Sequence, residues 1–229
     1  MKRDILKYTV LFIAILMFAS CKEIDSTYEK YVVPGGIIYP GKIVSPLIFS
    51  GHNRVKISWL VGSDPSVVKA RIFWNNYVDS VDVVIPETAD TIQIIIDNLQ
   101  EKLHSFFIKT YDSEGESSVA VEVLGPVYGE YYQSSLNNRP IISAKVDAQQ
   151  IVTIKWGGVD LTNGAFATEV AYTRLTGEAI IKRFGINESS SVLSDYKPGT
   201  TFKHRTVYLP DSTCIDTFYT AFSDPYTPH

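Results

Sequence analysis

Cysteine is almost absent from this chain: 229 residues contain two, Cys21 and Cys214. Disulfides are therefore excluded as a framework. Histidine is also scarce, at four, and His52, His104, His204 and His229 share no short ligand spacing with one another or with Cys214. A zinc site needs three or four converging donors, so no metal is expected. No basic excess exists either. Lys and Arg number 21 against 25 Asp and Glu, a net charge of −4, which leaves no positive field for nucleic acid. The chain has no Gly-x-Ser-x-Gly elbow, phosphate loop or dinucleotide fingerprint. Cys214, flanked by Asp211-Ser-Thr and Ile-Asp216, has no basic neighbour in sequence to activate its thiol and reads as a half-buried structural residue. No catalytic residue and no cofactor are expected. The one enzyme class that composition leaves open is a small glycosidase, whose two carboxylates could be brought together by the fold alone.

Long apolar runs are missing except one. Tyr8 to Phe18 is nearly unbroken, follows Lys2, Arg3 and Lys7, and ends in Ala19-Ser20-Cys21. It is about half the ~20 residues a spanning helix needs, so it reads as a signal-peptide core. Cysteine directly after small residues resembles the bacterial lipoprotein signal. That resemblance implies cleavage between Ser20 and Cys21, a diacylated Cys21 thiol, and a membrane partner reached through the lipid. Cleavage would remove three basic residues and one acidic one, leaving the mature chain more acidic. Lys22-Glu23-Ile24-Asp25 loosely resembles the signals that send some lipoproteins across the outer membrane. The expected location is therefore that membrane, the cell-surface face favoured over the periplasmic one.

What the rest of the chain has in plenty is β-pattern. Val55, Ile57, Trp59 and Val61 alternate with Lys56, Ser58 and Leu60, and Val68, Ala70, Ile72 and Trp74 with Lys69, Arg71 and Phe73. Further β-branched and aromatic runs follow at 81–85, 91–96, 105–110 and 119–123, bounded by turn signals such as Asp64-Pro65 and Asp112-Ser-Glu-Gly115. No window holds a 3.6-residue period, so the chain is all-β. An internal repeat divides it: Val55-x-Ile57-x-Trp59 recurs as Val152-x-Ile154-x-Trp156, and Leu99 as Tyr196, all offset by 97 residues. The expected organisation is a leader (1–20), a lipidated stalk and lead-in strand (21–50), a first sandwich (51–127), a seam (128–139), a second sandwich (140–225) and a tail (226–229).

Tyr196-Lys-Pro-Gly-Thr-Thr-Phe202 resembles the loop before the penultimate strand of a fibronectin type III domain, with Leu99 to Ser118 in the same place in the first unit. The resemblance implies two tandem immunoglobulin/fibronectin type III-like β-sandwiches, with Trp59 and Trp156 as core tryptophans. It also implies a corner hydrogen bond from a tyrosine, which both units lack: at that position Phe202 cannot donate it, and His104 could do so only through an imidazole N–H. Tyr39-Pro-Gly-Lys42, Asn53 to Trp59, Trp74-Asn-Asn76, Tyr208 to Ser212 and Ile215 to Tyr219 are similar to an uncharacterised lipoprotein family of Gram-negative gut bacteria, domain-of-unknown-function family 4998. Its relatives resemble accessory lipoproteins of polysaccharide-utilisation loci. They imply a non-catalytic glycan-binding role, with a polysaccharide or oligosaccharide as partner. The competing role is a spacer or protein-interaction module for envelope proteins.

Two groups of residues are candidates for ligand contact. Trp74, Asn75, Asn76 and Tyr77 form a strand tip where a flat aromatic and amides could meet a sugar. Trp74 also keeps the inward phase of Ala70 and Ile72, so it equally reads as the end of the core. Tyr131 and Tyr132, with Tyr128, could line an inter-domain groove or simply stiffen the junction. Tyr208 and Tyr219 read as arms of a final hairpin covering the second core. Asp25-Ser-Thr27, Asp79-Ser-Val81 and Asp90-Thr-Ile92 resemble sites that some gut bacteria O-glycosylate.

Overall fold

The computed structural model describes Gly36, residues 39–86 and residues 88–229. The leader, Cys21, most of the stalk and Asp25-Ser-Thr27 lie outside the described residues. β1 (Val44–Ser50), β2 (Val55–Leu60) and β5 (Thr91–Ile96) form a three-stranded sheet in the order β1-β2-β5. β3 (Lys69–Trp74), β4 (Asp79–Val84), β6 (Leu103–Tyr111) and β7 (Val121–Pro126) form a four-stranded one in the order β4-β3-β6-β7. The second unit repeats this. β8 (Ile141–Val146), β9 (Val152–Trp156) and β12 (Ser190–Leu193) lie in the order β12-β9-β8. β10 (Ala165–Thr173), β11 (Ala179–Gly185), β13 (Lys203–Tyr208) and β14 (Phe218–Tyr219) lie in the order β11-β10-β13-β14. Three antiparallel strands facing four, twice over, make two fibronectin type III-like sandwiches.

Period-two patterning explains both cores. Val55, Ile57 and Trp59 of β2 turn inward onto Ala70, Ile72, Phe106 and Ile108 of the facing sheet. Their repeats Val152, Ile154 and Trp156 meet Val170, Tyr172 and Phe202. Trp59 and Trp156 are 3% and 4% exposed, and the Trp156 Nε1–H donates to Ser191 Oγ at 2.8 Å. Each large apolar side chain so buried contributes about 1.5–3 kcal/mol of transfer free energy. All the buried clusters draw on residues from Ile43 onward.

Both corner locks exist: the first uses the imidazole N–H open to His104, and the second a donor other than Phe202. His104 is buried, and its Nε2 faces the Gln100 carbonyl at 2.8 Å; a carbonyl only accepts, so that nitrogen carries the hydrogen. In the second unit Phe202 is wholly buried, and the Tyr196 hydroxyl donates instead to the Thr200 carbonyl.

Two boundaries and the content of the seam differ from the sequence expectation. The lead-in strand is β1 itself, paired residue for residue with β2 from Leu47↔Ser58 to Ser50↔Val55, so the first sandwich begins before residue 51. The tail is also in the fold: Tyr226 bridges Phe202, and His229 exchanges hydrogen bonds with Ala144 and Val146. The seam contains a short helix, α1 (Glu130–Ser135), where no helical period is readable. Its first N–H groups are capped from another element, Tyr131 N and Tyr132 N donating to the two carboxylate oxygens of Glu101 at 2.7 and 2.6 Å. Gly129 permits that approach, since a Cβ there would collide with Glu101 and Asn53.

A third, smaller apolar cluster fills the seam: Leu136, Ala165, Tyr208 and Phe218, with Tyr128, Tyr132 and Cys214 against it. Tyr208 and Tyr219 do lie on the expected hairpin, but neither covers the second core: Tyr208 packs here with Phe218, and Tyr219 lies under the Arg205 guanidinium, because β14 runs beside α1, where Gln133 donates to the Tyr219 carbonyl. Around the cluster, Arg54 makes a two-pronged pair with Asp216 at 2.6 and 2.8 Å, and Asp216 also accepts from His52 N. Ser50 Oγ donates to Asp211 at 2.6 Å.

Candidate functional site

The β3–β4 turn is built from residues that tolerate a left-handed backbone. Asn75 and Asn76 have φ of +49° and +54°, and Tyr77 follows at +65°. The Asn75 side-chain amide donates to Asp79 at 2.5 Å, closing the turn. Trp74, just before it, is half-buried against the first core, its ring centroid 6.3 Å from that of Phe106. Facing this turn is the β5–β6 loop. Leu99 anchors it, buried, with its N–H on the Asn53 carbonyl at 2.9 Å. Asn98, at φ +59°, and Gln100 therefore flank a fixed point, and the His104 lock holds Gln100 from the other side.

Between turn and loop lies a cleft of about 510 Å³ lined by Trp74, Asn75, Asp79, Asp97, Asn98, Gln100 and Lys102. A second recess of about 270 Å³ shares Asn75 and Lys102 with it and brings in Asn76, Ser105 and Phe107. The combination is one indole with carboxylates, primary amides and an ammonium at close range. Such a cleft offers an apolar surface beside donors and acceptors of both kinds.

The four-residue tip does not act as one unit. Trp74 and the two asparagines border these recesses. Tyr77 instead lies on the outer face of the sheet, its ring centroid 5.0 Å from those of Phe73 and Phe107. The reason is alternation: Phe73 and Trp74 point to opposite faces, and Tyr77 folds back over the former. Asp97, Asn98, Gln100 and Lys102 went unnoticed in sequence. Their only signal was a polar run between two strands, which is what any surface loop looks like.

The seam tyrosines divide as well. Tyr132 packs its ring 5.0 Å from both Tyr128 and Phe218, and its hydroxyl donates to the Asn163 carbonyl at 2.6 Å. Burial pushes its ionisation far above the usual phenol range. Tyr131 is 83% exposed and holds only its backbone to Glu101. Cys214 is half-buried against the same cluster, and burial raises its thiol pKa, which removes thiolate at neutral pH. Ser80 and Thr91, of the two described Asp-Ser/Thr-apolar motifs, are both exposed on edge strands. Among the described residues, no three His, Cys, Asp or Glu side chains are grouped to hold a metal ion, and no helix is long and apolar enough to cross a membrane.

Comparison with known proteins yields a family and a similar solved structure. A family model described as a domain of unknown function, DUF4998, matches residues 21–218. No curated protein matches. Among solved structures, the chain is similar to the chicken CNTN1 FN1-FN3 domains, at 14% identity and a TM-score of 0.45. The likeness covers 82% of this chain and 66% of that one.

Proposed function

Given that the chain belongs to the DUF4998 family, we propose that it is a non-catalytic glycan-binding lipoprotein, anchored to the outer membrane through Cys21. The observation that carries this reading is the Trp74 cleft. The Trp74 indole gives the apolar face of a pyranose a flat ring to lie against, while Asn75, Asn98 and Gln100 offer amides to its hydroxyls. Asp79 and Asp97 accept, and Lys102 donates. A volume of about 510 Å³ suits one or two sugar rings. A spacer role has one observation in its favour, the pinned seam, in which Arg54, Ser50 and His52 all bond to the 211–216 segment. The two roles are compatible, since a rigid pair of sandwiches would present a ligand away from the membrane.

The test uses residues 22–229, which contain every cluster described, in affinity electrophoresis against neutral soluble polysaccharides. Retardation on one glycan, weakened at least ~10-fold in Trp74→Ala by loss of about 1.4 kcal/mol of contact, is the expected result. Retardation unchanged in Trp74→Ala would remove the cleft from the reading, and none on any glycan would leave the spacer role alone.

A further inference from the structure

β10 lies between β11 and β13, so its backbone groups are paired on both sides. The face it turns inward carries Thr168, Val170 and Tyr172; the opposite face carries Ala167, Glu169, Ala171 and Thr173. Apart from Glu169, that outer row is small, so the middle of the sheet is a trough between the side chains of its neighbours.

Glu169 is opposite Arg183 on β11 and Arg205 on β13. Its carboxylate, 7% exposed, takes Arg183 at 2.6 Å on one oxygen and Arg205 at 2.7 Å on the other. One carboxylate cannot neutralise two guanidiniums, so the row keeps a net positive charge. The arrangement also fixes both groups in place. Arg205 lies 4.1 Å from the Tyr219 ring centroid and 4.6 Å from that of Phe222, which sets its plane. One side-chain step along the strands, about 7 Å away, the next row is Ile181, Ala171 and Lys203. Here a trough of about 610 Å³ has Ala171 and Thr173 as floor, Ile181 and Lys203 as walls, and Thr201 at its rim. Lys203 is exposed and has no carboxylate partner among the described residues. In a chain of net charge −4, three cations around one buried anion make a local field of the opposite sign.

We propose that this outer face of the second sandwich binds an anionic polysaccharide of the uronate class. A pyranose ring lies in the trough over Ala171, and its carboxylate is held by Lys203 and the Arg183–Arg205 pair. An acidic peptide fits less well. Extended peptides gain affinity from main-chain hydrogen bonds in the plane of a sheet at its free edge, whereas the trough lies over the face of the sheet, above the paired backbone of β10. Side-chain donors over a small-residue floor match ring carboxylates and hydroxyls. The sugar identity of the ligand rests on the glycan reading above; the site is separate from the Trp74 cleft.

Residues 22–229 would be run in affinity gels containing polygalacturonate, alginate, fully methyl-esterified polygalacturonate or polyglutamate. The expected result is retardation by an uronate polymer, little by its ester, and weakening of at least ~10-fold in Lys203→Glu, the equivalent of about 1.4 kcal/mol. Arg183→Gln, which leaves Glu169 paired with Arg205, should weaken it too, while Trp74→Ala should not. Unfolding midpoints of each variant separate lost binding from lost fold. Equal retardation by the ester, or binding indifferent to both substitutions, overturns the proposal. Polyglutamate binding as tight as uronate binding would reassign the face to acidic polypeptides. Neutral-glycan binding through Trp74 without uronate binding overturns this inference alone, and silence on every polysaccharide overturns both.

Discussion

His204 sits on β13 with its ring 5.4 Å from that of Trp156, and its Nε2–H donates to the Arg139 carbonyl at 2.9 Å. Nδ1 is buried without a partner among the described residues. Close by, the Arg139 side chain is itself buried, with Nε on the Gly157 carbonyl at 2.9 Å. A proton on Nδ1 would add a second positive charge to this interior, and burial accordingly holds the His204 pKa below its ordinary 6.5. The unfolded chain, with an ordinary imidazole, therefore binds a proton that the folded chain refuses. The contribution of His204 to stability is fully present above pH 6.5 and is lost as the pH falls below it, at a slope of up to about 1.4 kcal/mol per pH unit. His204→Gln keeps a donor for Arg139 but cannot titrate. Its denaturant midpoint should be flatter with pH than that of the wild type below pH 6.5, and parallel curves would show that His204 is not the sensor. Tyr172 shows the same residue-scale logic in a phenol, pushed up to about 12 by burial and by its hydrogen bond to Asp195.

At the scale of single elements, β2 and β9 were readable because one face of each is entirely apolar and the spacing is two. The corner locks were not. A sequence shows that tyrosine is missing from a position, but not that His104 lies close enough to Gln100, or Tyr196 to Thr200, to replace its bond. His104→Phe keeps the ring against Phe106 and deletes only the donor, leaving a carbonyl unmet. It should cost about 1 kcal/mol, or roughly 2–4 °C in melting temperature for a chain of this size. A melting temperature equal to the wild type would mean water replaces the lock at no cost. α1 escaped notice for a different reason. Six residues are too few for a periodic stripe, and the helix is stabilised by Glu101, thirty residues upstream of the first amide it caps.

For the molecule as a whole, the decisive contacts are those between the sandwiches. Asp216 accepts from Arg54 twice and from the His52 N–H, and the Arg54 bond is the main reason its pKa lies below the usual carboxylate range. Asp216→Asn should destabilise the chain by about 1–2 kcal/mol at neutral pH, a value held down by partial exposure of the pair. Because a carboxylate of depressed pKa stabilises only while ionised, the difference from wild type should shrink as the pH falls through the folded-state pKa. Denaturant titrations at several pH values would show it. A constant difference would assign the loss to packing instead of charge.

The all-β class, the twofold repeat and most core positions were determined by sequence alone, because burial on a sheet face must repeat every second residue and the repeat copied that pattern 97 residues on. Trp74, Asn75 and Asn76 could be singled out the same way, as aromatic and amide residues at a turn. What they face was decided by tertiary structure. The β5–β6 loop supplies the rest of the cleft from residues 97–102, about 20 positions away along the chain. The Arg183–Glu169–Arg205 row depends on the register of three strands, and the seam joins segments more than 160 residues apart through Arg54 and Asp216. Patterns of burial are local and repeat along the chain; the meeting of polar side chains depends on strand order and register, which no short window of sequence contains.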